Sequence, residues 1–195
     1  MKQRFSKRTR LVSALLTLAM VFTFLPFSAF ADDDVDFWVP LHSENFPDKT
    51  FLEYTRTTFD KGGSEDGEPN GILEPSEYRF VTTIDVSGME ITSLKGIEFF
   101  PNLKKLNCGH NRLTSLDVSE NTVLQELVCW ENQLTSLDVS QNTALQELEC
   151  FENKLTSLDV SQNPALQKLD CWDNRLTSLD VSKNTELTYL KCSYN

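Results

Sequence analysis

The sequence contains few basic residues, and it has no long apolar run after its first 27 positions. Eighteen Lys and Arg stand against 29 Asp and Glu, so the formal net charge of the 195 residues is −11. Nucleic acids and anionic lipid surfaces are bound through clustered Lys and Arg. Five of the bases lie within the first ten residues, which leaves the remaining chain more acidic still. We therefore predict no nucleic-acid partner and no docking on anionic lipid.

Histidine is scarce, and recognisable catalytic motifs are missing. His42 and His110 are the only histidines, and no H-E-x-x-H, G-x-S-x-G or glycine-rich phosphate loop occurs. Neighbouring carboxylates such as Glu149 and Asp170 could imitate a glycosidase pair. Like-charged residues one repeat apart are explained more simply as a solvated acidic face. We predict no catalytic site and no enzymatic activity.

The N-terminus has the three parts of a secretory signal. Residues 1–10 are basic, residues 11–27 form an uncharged apolar run, and Ala29-Phe30-Ala31 offers small residues before Asp32. This pattern predicts a signal peptide over residues 1–31 that is cleaved after Ala31. An uncleaved anchor is the alternative, but the run is short for a membrane span. The mature chain is expected to have no membrane span and to be secreted or held at the cell surface, and its composition favours a bacterial source.

A repeat of fixed length dominates the rest of the chain. The heptapeptide LTSLDVS recurs every 21 residues, within a unit that reads L-x-x-L-x-C-x-x-N-x-L-T-S-L-D-V-S-x-N-x-x. Its copies begin at Leu113, Leu134, Leu155 and Leu176. A degenerate unit starts at Val81, and a last unit starts at Leu187 and runs to Asn195. Such self-similarity indicates stacked turns, each burying its apolar side against its neighbours.

These units resemble the leucine-rich repeat, with cysteine at the usual third leucine position and the asparagine intact. The resemblance covers about residues 81–195. The repeat length, the strand cysteine and LTSLDVS are most similar to the internalin J type among secreted Gram-positive repeat proteins. The resemblance implies an α/β repeat solenoid with a parallel β-sheet on its concave face. It also implies a small EF-hand-like helical cap at the N-terminal end and a role in adhesion.

The physics of the repeat agrees with a solenoid. Leu106 and Cys108 are two residues apart, so a short strand directs both to one side and Asn107 to the other. Asn111 follows where the chain bends, and its amide can satisfy backbone groups that the bend leaves unpaired. The remaining residues of a 21-residue turn are too few for a full helix. We expect irregular or 3₁₀ segments on the convex side.

The five cysteines recur with the repeat, which favours a packing role. They are Cys108, Cys129, Cys150, Cys171 and Cys192. An odd number argues against a disulfide framework in an exported chain. Stacked neighbours have parallel Cα–Cβ bonds, which suit a disulfide poorly, and a line of ligands cannot make a tetrahedral metal site. A ladder of buried thiols is the favoured interpretation, and a disulfide or a metal within it is the alternative.

Residues 32–80 lack the repeat and are predicted to form the N-terminal cap. Asp48 is placed to cap a helix that ends near Phe59. Phe51 and Leu52 lie on one face of this helix, at helical spacing with Thr55. A helical cap is expected because the first turn of a solenoid otherwise exposes its core.

A possible calcium loop lies in the same region. Residues 66–77 fit the pattern D-x-[DN]-x-[DN]-G-x₅-E at positions 1, 5, 6 and 12. The predicted calcium ligands are Asp66, Glu68, Asn70, the Ile72 carbonyl and Glu77. The separation from the preceding helix leaves two alternatives. In the first, Asp60 is the first ligand and an insertion follows it; in the second, the loop only shapes the cap.

The outward-facing positions of the repeat form columns in which aromatic residues stand beside acids. The predicted ligand-binding residues are Trp130, Phe151, Trp172, Glu131, Glu152, Asp173, Glu149 and Asp170. Stacked aromatics can simply stabilise the ladder. They can also form an exposed stripe that contacts a ligand, because Trp is enriched at binding hot spots. Aromatic faces beside carboxylates suit either a sugar ring or a basic protein segment.

The predicted function is binding of a protein or glycan ligand, in adhesion to host or mucosal surfaces. The alternative is a structural spacer in a larger surface protein, with no ligand of its own. The last repeat has no polar capping unit, so we expect a C-terminally incomplete solenoid. Oligomerisation is expected only through that open end.

Overall fold

The computed structural model describes residues 38–62 and 69–195, so the predicted signal peptide lies outside the described residues. The cap contains two helices and a strand pair. They are β1 (Val39–Pro40), α1 (Lys49–Thr58), β2 (Ile72–Leu73) and α2 (Pro75–Tyr78). The repeats contribute β3 (Thr83–Asp85), a 3₁₀ helix (Ile97–Phe99), β4 (Lys105–Asn107), β5 (Glu126–Val128), β6 (Glu147–Glu149), β7 (Lys168–Asp170) and β8 (Tyr189–Lys191).

The six repeat strands form one parallel sheet in chain order, from β3 to β8. Each strand pairs with the next in the same register, so that Leu106 lies beside Leu127 and Leu127 beside Leu148. A constant register places every repeat position in a column, which is the arrangement predicted from the sequence. The predicted parallel-sheet solenoid is confirmed.

The core lies on one side of this sheet. The central leucine of each strand and the cysteine directly after the strand are buried at four successive turns, from Leu106 and Cys108 to Leu169 and Cys171. Leu113 and Val118, in the first LTSLDVS segment, close the core from the other walls. A single turn is too thin to bury these side chains, so neighbouring turns supply the contacts.

The convex side is irregular, as predicted. Among the described residues of the repeats, the only helical segment is the 3₁₀ helix in the first turn. Each LTSLDVS segment instead bends around its aspartate. Asp117 accepts hydrogen bonds from the Ser119 backbone N–H and hydroxyl, at 3.0 and 2.7 Å. The local Asp–Ser bonds take the place of helical hydrogen bonding.

A row of asparagines closes the bend after each strand. The Asn132 amide donates to the Cys108 and Cys129 carbonyls at 3.0 and 3.1 Å, and its Oδ1 accepts from Leu113 N at 2.9 Å. The same pattern recurs one turn away at Asn111, Asn153, Asn174 and Asn195. The predicted role of this asparagine in satisfying backbone groups is confirmed.

A second asparagine row lies on the other side of the core. Asn142 is fully buried and donates to the carbonyls of Val118 and Asn121, at 2.9 and 3.0 Å. Asn163 and Asn184 repeat these bonds one turn further on. Among the described residues, no donor reaches the Oδ1 atoms of this row. The row therefore ties consecutive turns together through its amide N–H groups alone.

The cap is anchored by Asp48. Its Oδ1 accepts from Thr50 N and Phe51 N at the start of α1, as predicted, at 2.9 and 3.0 Å. Its Oδ2 accepts from both the backbone N–H and the hydroxyl of Thr92, at 2.7 and 2.8 Å. Phe51 is fully buried and packs against Phe46. One carboxylate thus joins the cap helix to the first repeat.

Candidate binding surface on the strand face

The strands are shorter than the sequence predicts, which moves two of the predicted columns off them. Each strand ends one residue before its cysteine. The aromatic column and the acidic column beside it therefore lie in the turn that follows. In that turn Glu131, Glu152 and Asp173 adopt left-handed backbone conformations, with φ values of 49°, 52° and 50°. We call the outward residues of β4–β7, together with this turn, the strand face.

The three aromatic residues form one stack along the strand face. The ring centroids of Trp130 and Phe151 lie 5.5 Å apart, with an interplanar angle of 3°. Those of Phe151 and Trp172 lie 5.4 Å apart, with an angle of 14°. Parallel strands in register bring equivalent side chains to stacking distance. We call Trp130, Phe151 and Trp172 the aromatic stack.

Both ends of the aromatic stack are covered. A Cβ placed on Gly109 would lie 2.6 Å from Trp130 Nε1, so the indole rests directly on the glycine backbone. At the other end, Lys191 Nζ lies 4.2 Å from the centroid of the Trp172 ring. All three aromatic residues are half-buried. The ring faces are therefore used within the chain, as the stabilising interpretation expects, and mainly ring edges reach solvent. Ligand binding by these residues stays a prediction.

Carboxylates outnumber lysines on the strand face. Lys105 pairs with Glu126 at 2.6 Å, and Lys168 pairs with Glu149 and more distantly with Glu147. Within residues 38–62 and 69–195, neither Glu152 nor Asp173 forms an ion pair. The face is therefore acidic beyond what its own lysines neutralise.

Asp170 differs from the other predicted ligand-binding acids because it is buried. Its side chain faces outward from β7, yet the residue is only 7% exposed. Burial raises the pKa of Asp170, and the pull of Lys191 and a backbone hydrogen bond from Trp172 only partly offset this. The expectation that Asp170 is freely exposed is wrong. Its neighbours along the sheet, Glu149 and Lys191, stand in the same row and contribute to covering it.

The cysteines form the predicted ladder of free thiols. Cys108, Cys129, Cys150 and Cys171 are buried, and Cys192 is exposed. Burial raises the pKa of Cys108 and of Cys171 to about 12. A thiol with such a pKa stays protonated at neutral pH and is a poor nucleophile. The ladder therefore packs as small apolar groups.

In the described part of the proposed calcium loop, the side-chain oxygens of two predicted ligands accept hydrogen bonds from backbone N–H groups. Asp66 and Glu68 lie outside the described residues. Both Glu77 carboxylate oxygens accept backbone N–H groups, from Lys61 at 2.6 Å and Glu74 at 2.7 Å. Asn70 Oδ1 accepts from Ile72 N at 2.8 Å.

Asp60 holds this loop from its opposite end. The residue is 1% exposed and accepts from Asn70 N and Gly71 N, at 3.0 and 2.8 Å. Among the described residues, no group of three His, Cys, Asp or Glu side chains is placed to hold a metal ion. Calcium binding and the EF-hand-like character of the cap stay predictions.

Sequence reasoning missed two residues that complete the strand face. The first is Gly109, which stands in the aromatic column and has no side chain. A glycine next to a Trp in such a column indicates that the indole packs on the glycine backbone, where a Cβ would collide with it. Lys191 is the second, and its signal is a lysine in the column next to the Trp column, which makes it a cation–π candidate. His110 adds an ion pair with Glu131, Nδ1 to Oε2 at 2.8 Å.

The in-register parallel sheet, the cysteine ladder and the asparagine row together define a leucine-rich-repeat solenoid of about five turns. A family model described as the leucine-rich-repeat domain of the endo-beta-N-acetylglucosaminidase EndoS matches residues 71–192. The chain belongs to this family of leucine-rich-repeat domains. No curated protein matches it.

Solved structures show the same fold. The functional domain of InlJ from Listeria monocytogenes, which includes a cysteine ladder, is 39% identical with a TM-score of 0.68. That match covers 80% of this chain and 33% of the InlJ chain. The internalin InlF from Listeria monocytogenes is 25% identical with a TM-score of 0.66, over 78% of this chain and 45% of its own. The predicted internalin-type resemblance is confirmed, and the chain spans less than half the length of either relative.

No helix within the described residues is long and apolar enough to cross a membrane.

Proposed function

We propose that this chain is an exported bacterial protein that binds a protein ligand through its strand face, in adhesion to a host or mucosal surface. Leucine-rich-repeat domains of the internalin-like fold commonly bind proteins. The observation that carries the proposal is the contrast between two sides of the solenoid. The LTSLDVS segments are identical in four turns, whereas neighbouring turns of the strand face differ at every outward position except Glu126/Glu147 and Glu131/Glu152.

A protein ligand fits this surface better than a glycan. Sugar rings bind aromatic residues by lying on an open ring face. In the aromatic stack, all ring faces but one are covered by a neighbouring ring or by Gly109. The remaining face, on Trp172, holds the Lys191 ammonium group and therefore suits a cation better than a sugar ring. What the strand face offers instead is ring edges and fixed carboxylates. These groups suit the side chains and backbone N–H groups of a polypeptide.

A binding role without catalysis is part of the proposal. The family match is to the leucine-rich-repeat domain of EndoS, and the residues matched here form turns of the solenoid. Burial raises the pKa of all four buried thiols, which keeps them protonated at neutral pH. Both histidines are exposed, and within the described residues neither is hydrogen-bonded to a serine or cysteine side chain. Export rests on the predicted signal peptide over residues 1–31.

The proposal is tested by capturing proteins with two matched variants. The first carries Glu131→Lys and Glu152→Lys on the strand face, and the second carries Asp138→Lys and Asp159→Lys in the LTSLDVS segments. Both change the net charge equally. Mucins, extracellular-matrix proteins and a glycan array are presented to each variant and to the unaltered chain. We expect a protein to be captured by the unaltered chain and by the LTSLDVS variant only.

Two results would contradict the proposal. Capture of proteins that both variants retain would place the site away from the strand face. Absence of any capture by the unaltered chain would favour the spacer function.

A further inference from the structure

One buried carboxylate on the strand face forms no ion pair within the described residues. Asp170 Oδ1 is buried, and among the described residues no donor reaches it. Of the two lysines nearby, Lys168 bonds Glu149 in the adjacent strand, and Lys191 lies over the Trp172 ring. The carboxylate keeps the attraction of Lys191 and a backbone hydrogen bond from Trp172, but these only partly offset the loss of water on burial. Its Oδ1 atom is the part left without a donor.

The surroundings of Asp170 are suited to a cation. Glu149 stands beside it in the sheet, and the unpaired Asp173 follows in the next turn. The Trp172 ring adds a π-face, which attracts cations. Lys191 already shows that an ammonium group is held there, with its Nζ 4.2 Å from the ring centroid.

Lys191 is itself replaceable. The residue is exposed, and a lysine stem can swing away at little cost because it has several free rotamers. An incoming cation that reached Asp170 would complete a charge-assisted hydrogen bond that Lys191 does not make.

We propose that this part of the strand face receives an arginine or lysine side chain from an extended basic segment of a partner protein, with Asp170 as its buried anion. The inference rests on the proposed function and specifies the chemistry of the partner. Side chains of an extended segment point to one side at every second residue. A segment with alternating basic residues would therefore present cations to Asp170 and to the unpaired acids Glu152 and Asp173.

The test uses a defined probe, an octapeptide of alternating Arg and Gly with blocked ends, and the same peptide with Gln for Arg. Binding to the full chain is measured by calorimetry at physiological ionic strength. We expect the Arg peptide to bind and the Gln peptide not to bind. Asp170→Asn keeps the shape of the side chain and is expected to weaken binding about tenfold, the size of one charge-assisted hydrogen bond. Asp159→Asn makes the same charge change in an LTSLDVS segment and is expected to leave the affinity within about twofold.

Lys191 provides an independent measurement of opposite sign. Lys191→Met removes the competing ammonium and keeps the apolar stem, so we expect tighter binding of the Arg peptide. Lys183→Met is the matched control, because Lys183 neighbours Asp180 in the last LTSLDVS segment. Asp170→Asn is also expected to melt at the same temperature as the unaltered chain or higher, since it removes a buried charge whose desolvation is only partly offset.

Three results would overturn the inference. The first is that the Arg peptide does not bind. The second is that Asp170→Asn and Asp159→Asn weaken its binding equally. The third is that Lys191→Met and Lys183→Met change its affinity equally. If the strand face captures a protein that Asp170→Asn binds unchanged, this inference fails and the proposed function stands. If the Arg peptide does not bind and the unaltered chain also captures no protein, both this inference and the proposed function fail.

Discussion

The cap and the repeats satisfy their backbone groups with different chemistry. In the repeats, neutral asparagine amides do so at every turn, as Asn132 and Asn142 illustrate. In the cap, single carboxylates do so, notably Asp48 and Asp60, each of which accepts from several backbone N–H groups. An amide does not titrate, whereas a carboxylate loses its acceptor charge in acid. The asparagine rows that join the turns are therefore insensitive to pH, whereas the carboxylates that anchor the cap are not. The aspartates of the LTSLDVS segments also titrate, but they are exposed and bond only within their own turn.

The largest effect is expected from breaking the asparagine row. Asn132→Ala removes the bonds to three carbonyls and frees the Leu113 N–H inside a buried bend. We expect a loss of about 2 to 4 kcal/mol in the free energy of unfolding, since the buried Leu113 N–H loses its partner and each carbonyl loses one of its two donors. Chemical denaturation measures it, with the exposed neighbour Gln133→Ala as control. Equal stabilities for the two variants would show that the row is not needed.

A smaller and more local effect is expected in the cap. Asp48→Ala removes the N-cap of α1 and both bonds from Thr92. We expect a loss of about 1 to 3 kcal/mol, with faster hydrogen exchange in α1 and unchanged exchange in β5–β7. Lys49→Ala, at the adjacent exposed position, serves as the control. Exchange that rises equally across the repeats would contradict the idea of a separately anchored cap.

In the unaltered chain, acid is expected to destabilise the cap before it destabilises the repeats. Burial alone would raise the pKa of Asp48, but hydrogen bonds from Thr92, Phe51 and Thr50 outweigh it and hold the pKa below its ordinary value. Its stabilising contribution is therefore complete above pH of about 4 and is lost as the pH falls through the lowered pKa.

Hydrogen exchange followed from pH 6 downward should show the cap opening before the repeats. Asp48→Asn keeps an acceptor oxygen that does not titrate, so it is expected to reduce this pH dependence. A pH dependence that the variant retains in full would assign the effect to another group.

The smallest effect on stability is expected from calcium. If the loop of residues 66–77 takes calcium, millimolar calcium should raise the melting temperature of the cap and leave the repeats unchanged. Glu77→Gln is expected to abolish that rise. Magnesium at the same concentration controls for general charge screening. An equal shift with both metals would leave the loop with a purely structural role.

What could be predicted from the sequence follows the same division between repeats and cap. The positions of Leu106, Cys108 and Asn111 in the fold are predictable, because the same residue types recur at the equivalent positions of the following turns. The link from Asp48 to Thr92 occurs once and spans 44 residues, so no periodic signal announces it. Local chemistry nevertheless predicted Asp48 as the helix cap.

On the strand face, the columns were predictable but the use of their side chains was not. The repeat places Trp130, Phe151 and Trp172 above one another, and only the structure shows that their faces close on each other. The burial of Asp170 likewise depends on how the neighbouring lysine and indole side chains are arranged. The inner asparagine row was visible in the repeat, yet its position in an irregular turn does not reveal that Asn142 points inward.

The equal length of the turns has a consequence for how such a chain can change over generations. Asn142 bonds the carbonyl of the residue exactly one turn earlier, 21 positions back, and Asn163 does the same. Gain or loss of one whole unit by unequal recombination would therefore recreate identical junctions on both sides. Only the outward residues carried by that unit would be added or removed. The strand face can therefore gain, lose or exchange residues through changes in repeat number, while the core contacts between turns stay the same.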